Sequence, residues 1–283
     1  MSNVCTHRGN ILCTEPAVLS GVRCRYHGRR FTLEGKMIAM PEFEGVHDFP
    51  TPRDDLKQVA LGRLGPLMFA GLDPAFPFDS WIAPVRERLA FLPFDRLAFD
   101  PASSRAYDVQ ASWALYCDNY LEGFHIPYVH SSLATTLDYG EYAVELERFS
   151  VVQLGIARPG EPAFALPRAH PDHGRAVAAY YYWLFPTTMF NVYPWGVSVN
   201  MVTPLAVDRT RVSFLPFVWD ATKRDSGAGA GLDRVEREDE AIVESVQRGV
   251  RSRLYDRGRY SPAREGGVHH FHRLLAEFLG IEK

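Results

Sequence analysis

Residues 5–28 of the chain are CTHRGNILCTEPAVLSGVRCRYHG, and they contain two short runs that each pair one cysteine with one histidine. The first run is Cys5-Thr-His7, and the second, Cys24-Arg-Tyr-His27, follows after 16 intervening residues. Two thiolates and two imidazoles are the ligand set of a [2Fe–2S] cluster in which two cysteines bind one iron and two histidines bind the other. The spacing therefore predicts that two loops clamp such a cluster between them.

Structural zinc is the alternative, because zinc also binds sets of two cysteines and two histidines. Zinc sites more often group like ligands, with C-x₂-C followed by H-x₃₋₅-H. Here each loop mixes the two residue types, which favours the cluster. A zinc-stabilised binding protein stays open as a rival interpretation.

The segments around these loops predict two domains. Residues 1–71 contain short β-type runs separated by glycines, at 22–26, 30–33, 58–61 and 66–70. The proline-rich stretch 72–79 is unsuited to regular helix or central strand and marks a boundary, giving domains 1–72 and 73–283. Alternating segments in the second domain predict antiparallel strands at 107–113, 142–154, 179–185, 196–203 and 211–219. Two helices are predicted to follow, at 232–253 and 269–279. The fold class expected is α+β.

A second group of candidate ligands lies in residues 118–130, DNYLEGFHIPYVH. Glu122 and His125 are three residues apart and would share one face of a helix. Pro127 would end or kink that helix and let His130 return beside His125. Two histidines and one carboxylate form the facial triad of non-haem Fe(II) oxygenases. The plainer alternatives are two ordinary histidines and a capping box with Asn119 as N-cap and Glu122 at N3.

The third ligand is predicted from helical periodicity. One apolar stripe is expected on the helix 232–253, formed by Leu232, Val235, Ile242, Val243, Val246 and Val250. Asp239 falls at the centre of this stripe, where an unpaired carboxylate would cost several kcal/mol and a metal would remove the penalty. Glu236 at the stripe's edge is the second choice, while Glu238 and Glu240 are expected to be solvated. An arginine facing the stripe is the competing explanation.

Both motifs, in this order, resemble those of Rieske non-haem iron oxygenase alpha subunits, including the aromatic ring-hydroxylating dioxygenases and the choline-monooxygenase-like branch. Cys5, His7, Cys24 and His27 fill that family's C-x-H…C-x₂-H pattern, and Asn119, Glu122, His125 and His130 fill N-x-x-(D/E)-x-x-H-x₄-H. The resemblance implies a small all-β Rieske domain followed by a helix-grip-like catalytic domain with an antiparallel sheet. Since only four residues precede Cys5, the Rieske domain is expected to be truncated at its N-terminus.

The resemblance also implies roles for individual residues. His125, His130 and Asp239 would bind a mononuclear Fe(II), and Asn119 and Glu122 would belong to the catalytic site. Glu122 would connect His125 to a Rieske histidine of a neighbouring subunit in a homotrimer. The implied activity is mono- or dioxygenation of a small organic substrate by O₂, with electrons from an NAD(P)H-dependent reductase or a ferredoxin. An electron-transfer protein without oxygenase activity is the rival class.

Composition limits the remaining possibilities. The formal net charge is −3, so no basic excess favours a nucleic-acid partner. No apolar run reaches the roughly 18 residues of a membrane span, and the first ten residues lack the apolar core of a signal peptide, so a cytoplasmic location is expected. The run YYYW at 180–183 would alternate around a strand, so half of it is expected in the core and half at an aromatic pocket, suited to an aromatic substrate or to a quaternary ammonium.

Overall fold

The computed structural model of the protein describes residues 1–281, which divide into two compact units. One unit comprises Met1–Arg63 and Met68–Phe78, and the other comprises Leu64–Leu67 and the chain from Asp79 onward. The proposed domain boundary after residue 72 lies six residues before the end of the first unit.

The first unit is built from short strands. Strand β1 (Val22–Arg23) pairs with β2 (Arg30–Phe31), and β2 pairs with β3 (Met37–Ala39), all antiparallel. A separate hairpin consists of β4 (Ala60–Leu64) and β5 (Leu67–Gly71). The core beneath the three-stranded sheet includes both cysteines of the sequence motif; its buried members are Cys5, Leu12, Val22, Cys24, Phe31, Met37 and Leu56.

The second unit contains an eight-stranded antiparallel sheet. Its strands in chain order are β6 (Ala98–Phe99), β7 (Arg105–Val109), β8 (Ala143–Leu146), β9 (Ser150–Ile156), β10 (Val177–Leu184), β11 (Thr188–Tyr193), β12 (Gly196–Ala206) and β13 (Arg209–Val218). Strands β8 to β13 are neighbours in that order, and β6 and β7 both pair with the outer edge of β13. Every residue of β9 and β10 is buried, as expected for strands covered on both faces.

Within residues 1–281, six α-helices accompany the strands: α1 (Phe78–Arg88), α2 (Trp113–Tyr120), α3 (Ile126–Val129), α4 (Ser131–Thr136), α5 (Leu232–Gly249) and α6 (Gly266–Phe278). Helix α5 contacts α2 and β7, and α6 contacts α2 and β8. The predicted α+β fold with two C-terminal helices is therefore confirmed. Within residues 1–281, no helix combines the length and the apolar character that a bilayer crossing requires.

The inward face of α5 differs from the predicted apolar stripe. Its buried residues are Glu236, Val243 and Gln247, whereas Ile242, Val246 and Val250 are each at least 38% exposed. The polar members are tolerated inside because they have partners: Glu236 pairs with Arg105, and the side-chain oxygen of Gln247 accepts from the N–H of Ser112 at 2.8 Å. The helix is thus oriented by polar contacts as well as by apolar burial.

Candidate metal centres

Glu122 and His125 lie in a turn rather than on the predicted helix. Helix α2 ends at Tyr120, and α3 begins at Ile126 with Pro127 in its first turn, where proline is tolerated. The carboxylate of Glu122 accepts from the N–H of His125 at 3.0 Å and from the N–H of Phe124. A side chain therefore supplies the bonds that a continued helix would have made, and it orients the turn.

The capping-box interpretation of Asn119 is wrong. The N-cap of α2 is Ser112, while Asn119 lies in the last turn of that helix and lines the pocket beside the histidines. In the turn itself, a Cβ on Gly123 would come within 2.5 Å of the ring of Tyr142. Glycine is required there for the turn to pack against this ring.

The structure brings His125, His130 and Asp239 together. One carboxylate oxygen of Asp239 lies 3.0 Å from Nε2 of His130 and 3.4 Å from Nε2 of His125. One ligand atom from each residue falls within 4.8 Å of the other two. Neighbouring ligands of an octahedral metal, each at about 2.1 Å, are about 3 Å apart. The donor set therefore fits a mononuclear metal with open positions.

Each histidine also contacts a carboxylate of its own through its other ring nitrogen, Nδ1. Glu122 lies 2.6 Å from Nδ1 of His125, and Glu238 lies 2.8 Å from Nδ1 of His130. Such contacts fix the ring orientation and leave each Nε2 for the metal. The expectation that Glu238 is solvated is wrong, and its contact with a residue 108 positions away is the part of the site that sequence reasoning missed.

The protonation states of His125, His130 and Asp239 depend strongly on one another. Burial disfavours protonated His125, but hydrogen bonds to Asp239 and Glu122 outweigh it and raise the pKa of His125 to about 9. The pKa of His130 is raised for the same reason, against its own burial, with Asp239 as the main partner. Burial alone would raise the pKa of Asp239, but the two histidines lower it. A metal ion entering this group must displace the protons that the histidines hold.

The two cysteine–histidine loops have the same backbone geometry. In each loop the cysteine N–H donates to the carbonyl five residues later at 2.8 Å, and a glycine N–H four residues later donates to the cysteine carbonyl at 3.0 Å. The glycines have φ of +72° and +76°, which favour glycine at these positions. The residues so placed are Cys5, Gly9 and Asn10 in the first loop and Cys24, Gly28 and Arg29 in the second.

The four side chains of these loops converge. The buried thiols of Cys5 and Cys24 are close enough to hydrogen-bond, and the rings of His7 and His27 have centroids 4.8 Å apart. Nδ1 of His7 is buried and has no hydrogen-bond partner among residues 1–281. A buried ring nitrogen without a partner is costly unless something binds it. Two soft thiolates beside two imidazoles, one with this free nitrogen, fit a [2Fe–2S] cluster.

The pocket beside His125, His130 and Asp239 is rich in tyrosine. Its walls include Tyr116, Tyr120, Tyr142, Tyr181 and Tyr193, together with the carboxylate of Glu236. Part of the wall is fixed by hydrogen bonds, since the hydroxyl of Tyr120 donates to the side chain of Asn191 at 2.7 Å. The predicted aromatic wall is thus present, although most of its rings come from outside the YYYW run.

Comparisons with known proteins identify the family of the chain. Residues 94–281 match the family of ring-hydroxylating alpha subunits (catalytic domain), and residues 1–50 match the Rieske [2Fe–2S] domain. The chain is 31% identical to the chloroplastic choline monooxygenase of Arabidopsis thaliana, covering 96% of this chain and 67% of that protein. It is 28% identical to the carnitine monooxygenase oxygenase subunit of Escherichia coli (strain K12), covering 97% of this chain and 76% of that one.

A solved structure of the quaternary ammonium Rieske monooxygenase CntA, in complex with an inhibitor, shares the fold. It has a TM-score of 0.71 at 22% identity and covers 98% of this chain and 77% of its own. Against the choline monooxygenase of Beta vulgaris, the chain spans 63% of the relative's length. The chain belongs to the family of Rieske-type ring-hydroxylating oxygenase alpha subunits, whose cofactors are a [2Fe–2S] cluster and a mononuclear iron.

Proposed function

We propose that the protein is the oxygenase component of a Rieske-type monooxygenase that acts on a small quaternary ammonium substrate. The main observation behind this proposal is that His125, His130 and Asp239 lie together beside a tyrosine-lined pocket. This pocket also contains a buried carboxylate. The [2Fe–2S] cluster would be held by Cys5, His7, Cys24 and His27 and the mononuclear Fe(II) by the triad. When bound, the cluster supplies electrons one at a time and the iron supplies the site where O₂ is reduced.

The pocket's chemistry favours a cation over a neutral aromatic hydrocarbon. A quaternary ammonium cannot donate hydrogen bonds and is bound through aromatic faces and nearby negative charge. Tyrosine rings supply the faces, and Glu236 supplies a carboxylate. The relatives named for choline and carnitine act on quaternary ammonium compounds, which supports the same class here.

We assign to Glu236 the role of binding the positively charged group of the substrate. It is 7% exposed, and Arg105 is its ion-pair partner at 3.3 Å. Burial raises the pKa of Glu236 to about 7; Arg105 acts against this, and Asp233 and Asp239 add to it. A cationic headgroup would stabilise the ionised carboxylate, which the protein alone holds only weakly.

Glu236→Gln is expected to raise KM for the cationic substrate roughly tenfold, equivalent to about 1.4 kcal/mol, with a smaller change in kcat. Because the folded-state pKa of Glu236 is raised, the negative charge appears as pH rises through about 7, so KM should fall over that range in the wild type and not in the variant. Steady-state kinetics with choline or carnitine at pH 6 to 8 measure both effects. Glu244→Gln is the matched control, because Glu244 lies on the same helix, accepts from the N–H of Gln110 and is not part of the pocket wall. An unchanged KM in Glu236→Gln would refute this assignment.

The class of protein can be tested separately. Protein purified without oxygen is expected to contain two irons and two sulfides per cluster plus one further iron, and to show the visible absorption of an iron–sulfur cluster. A colourless protein containing zinc would establish the zinc-stabilised alternative. With a reductase or ferredoxin from a related system, O₂ consumption should depend on the quaternary ammonium substrate. Reduction of the cluster without any oxygenated product would favour the electron-transfer class.

The remaining expectations are part of the same proposal. We assign residues 1–72 to the Rieske domain and 73–283 to the catalytic domain, and we propose a homotrimer served by a separate NAD(P)H-dependent reductase or ferredoxin. The family supports the separate electron donor, because Rieske oxygenases of this type receive electrons from a partner.

A further inference from the structure

Arg29 is a buried cation placed directly behind the cluster loops. It is 2% exposed, and its own carbonyl accepts from the N–H of Cys24 in the second loop. Its Nη1 donates to the hydroxyl of Thr6 at 2.8 Å, and Thr6 stands between Cys5 and His7 in the first loop. One side chain thus contacts both loops that hold the four ligands.

The surroundings of Arg29 keep its charge in a low-dielectric environment. The guanidinium lies 5.4 Å from the ring centroid of Phe49 and 5.7 Å from that of Phe43. Phe43 in turn packs edge-on against His7, with centroids 5.4 Å apart. A charge enclosed by aromatic rings is screened much less than one in water, so it acts strongly on groups a few ångströms away.

The ion pairing of Arg29 is incomplete. Asp54 contacts Nη1 at 3.2 Å and is itself 20% exposed at its side chain. Nε of Arg29 is buried and has no hydrogen-bond partner among residues 1–281. A fully buried arginine with one N–H that makes no hydrogen bond lowers the stability of the fold, so a purely structural role does not explain it.

We propose that Arg29 is a positioning residue of the iron–sulfur centre whose buried charge raises the reduction potential of the cluster. An oxidised cluster of this type, with two ferric irons, two sulfides and two thiolates, is electrically neutral. Reduction adds one electron from the external donor and leaves a net negative charge, while the charge of Arg29 does not change. A fixed cation beside the loops stabilises the reduced form more than the oxidised form. The inference rests on the proposed cluster ligands and not on the substrate.

The test is the midpoint potential of the cluster in the full-length, cluster-loaded protein, followed by visible absorption and electron paramagnetic resonance at fixed ionic strength. Arg29→Met is expected to move the midpoint to more negative values while the spectrum of a two-cysteine, two-histidine cluster persists. Asp54→Asn, which removes the opposing charge, is expected to move it to more positive values. Arg29→Lys keeps the charge and should stay closer to the wild type than Arg29→Met.

Arg30→Met is the matched control, since Arg30 is the adjacent residue, has the same charge and is exposed to solvent; its midpoint should be nearly that of the wild type. Opposite shifts in Arg29→Met and Asp54→Asn support the proposal. Shifts in the same direction, or an unchanged midpoint in Arg29→Met, overturn it. If Arg29→Met does not retain the cluster, Asp54→Asn decides: a positive shift supports the proposal, and no shift or a negative one overturns it. Oxygenation is not measured, so failure of the substrate assignment cannot be confused with failure here.

Discussion

Replacing Asp239 with alanine should remove the mononuclear iron and abolish oxygenation, while the visible spectrum of the Rieske cluster stays unchanged. Asp239 contributes the carboxylate between His125 and His130, and it is the one acidic side chain within 3.4 Å of both Nε2 atoms among the described residues. Without it, two neutral imidazoles are left to bind Fe(II), and a hard divalent cation loses its charged ligand. Loss of contacts outside the ligand set alone weakens metal binding about 10–100-fold, so loss of a ligand should exceed this.

Iron analysis of the anaerobic protein, together with its absorption spectrum, measures this result. The expected iron content falls by the mononuclear equivalent, and the sulfide content does not change. Glu236→Ala is the control on the same helix: its carboxylate faces Arg105 rather than the histidines, so iron content should remain near the wild-type value. Full iron at the catalytic site in Asp239→Ala would refute the assignment.

Both candidate ligand groups could be identified from the sequence because most of their members are close together in the chain. Cys5 with His7, Cys24 with His27, and His125 with His130 are local pairs whose residue types and spacing suggest the chemistry directly. Asp239, which is 109 residues from His130, required periodicity instead. The prediction placed it facing the histidines, as the structure has it, although the surrounding stripe was partly misassigned.

The stripe was misassigned because burial on α5 does not follow hydrophobicity. Glu236 and Gln247 are buried through specific partners, while Ile242 and Val246 remain 40% and 42% exposed. Glu238 was missed for the same reason. A glutamate at the flank of a helix has the same local pattern whether it meets water or a distant histidine, and only tertiary structure separates the two cases.

Secondary structure was predicted in long segments with a clear periodic pattern. It was missed in segments that are short or whose pattern is interrupted. The segment predicted as one strand over 142–154 forms two, β8 and β9, with a turn at 147–149. Strand β11 has two half-buried polar residues, Thr188 and Asn191, separated by two buried apolar ones, and β3 has only three residues, so neither gave a clear alternating pattern. Helix α1 was not predicted, and it contains Pro84, a residue that is disfavoured inside a helix.

Replacing Glu122 with glutamine should reduce turnover strongly while leaving both cofactors in place. We propose that Glu122 connects His125 to a Rieske histidine of a neighbouring protomer and provides the path for electrons. Its Oε1 is 2.6 Å from Nδ1 of His125, and its side chain is 14% exposed. Glutamine keeps the size and can still accept from the N–H of His125, so the turn should persist. It loses the negative charge, and a loss of about 10–100-fold in turnover is expected.

Glu238→Gln is the matched control, because Glu238 makes the equivalent contact with His130 at 2.8 Å. If Glu122 only orients a ligand, the two variants should behave alike, with weakened iron binding in both. If Glu122 also connects the two centres, only Glu122→Gln should slow reoxidation of the reduced cluster by O₂ and substrate at full iron content. Stopped-flow absorption in a single turnover measures that rate.

Mixed oligomers test whether the electrons cross between protomers. Protomers with Cys24→Ser lack a proposed cluster ligand, and protomers with Asp239→Ala lack a proposed iron ligand, so each homo-oligomer should be inactive. When the two variants are combined in one assembly, the intact cluster of one protomer can transfer electrons to the intact iron of its neighbour. Activity should therefore return in the mixed fraction. Adding Glu122→Gln to the Cys24→Ser protomer, which retains the intact iron site, should remove the recovered activity. Activity in a monomeric fraction on gel filtration, or no recovery in the mixed assembly, would contradict transfer between protomers.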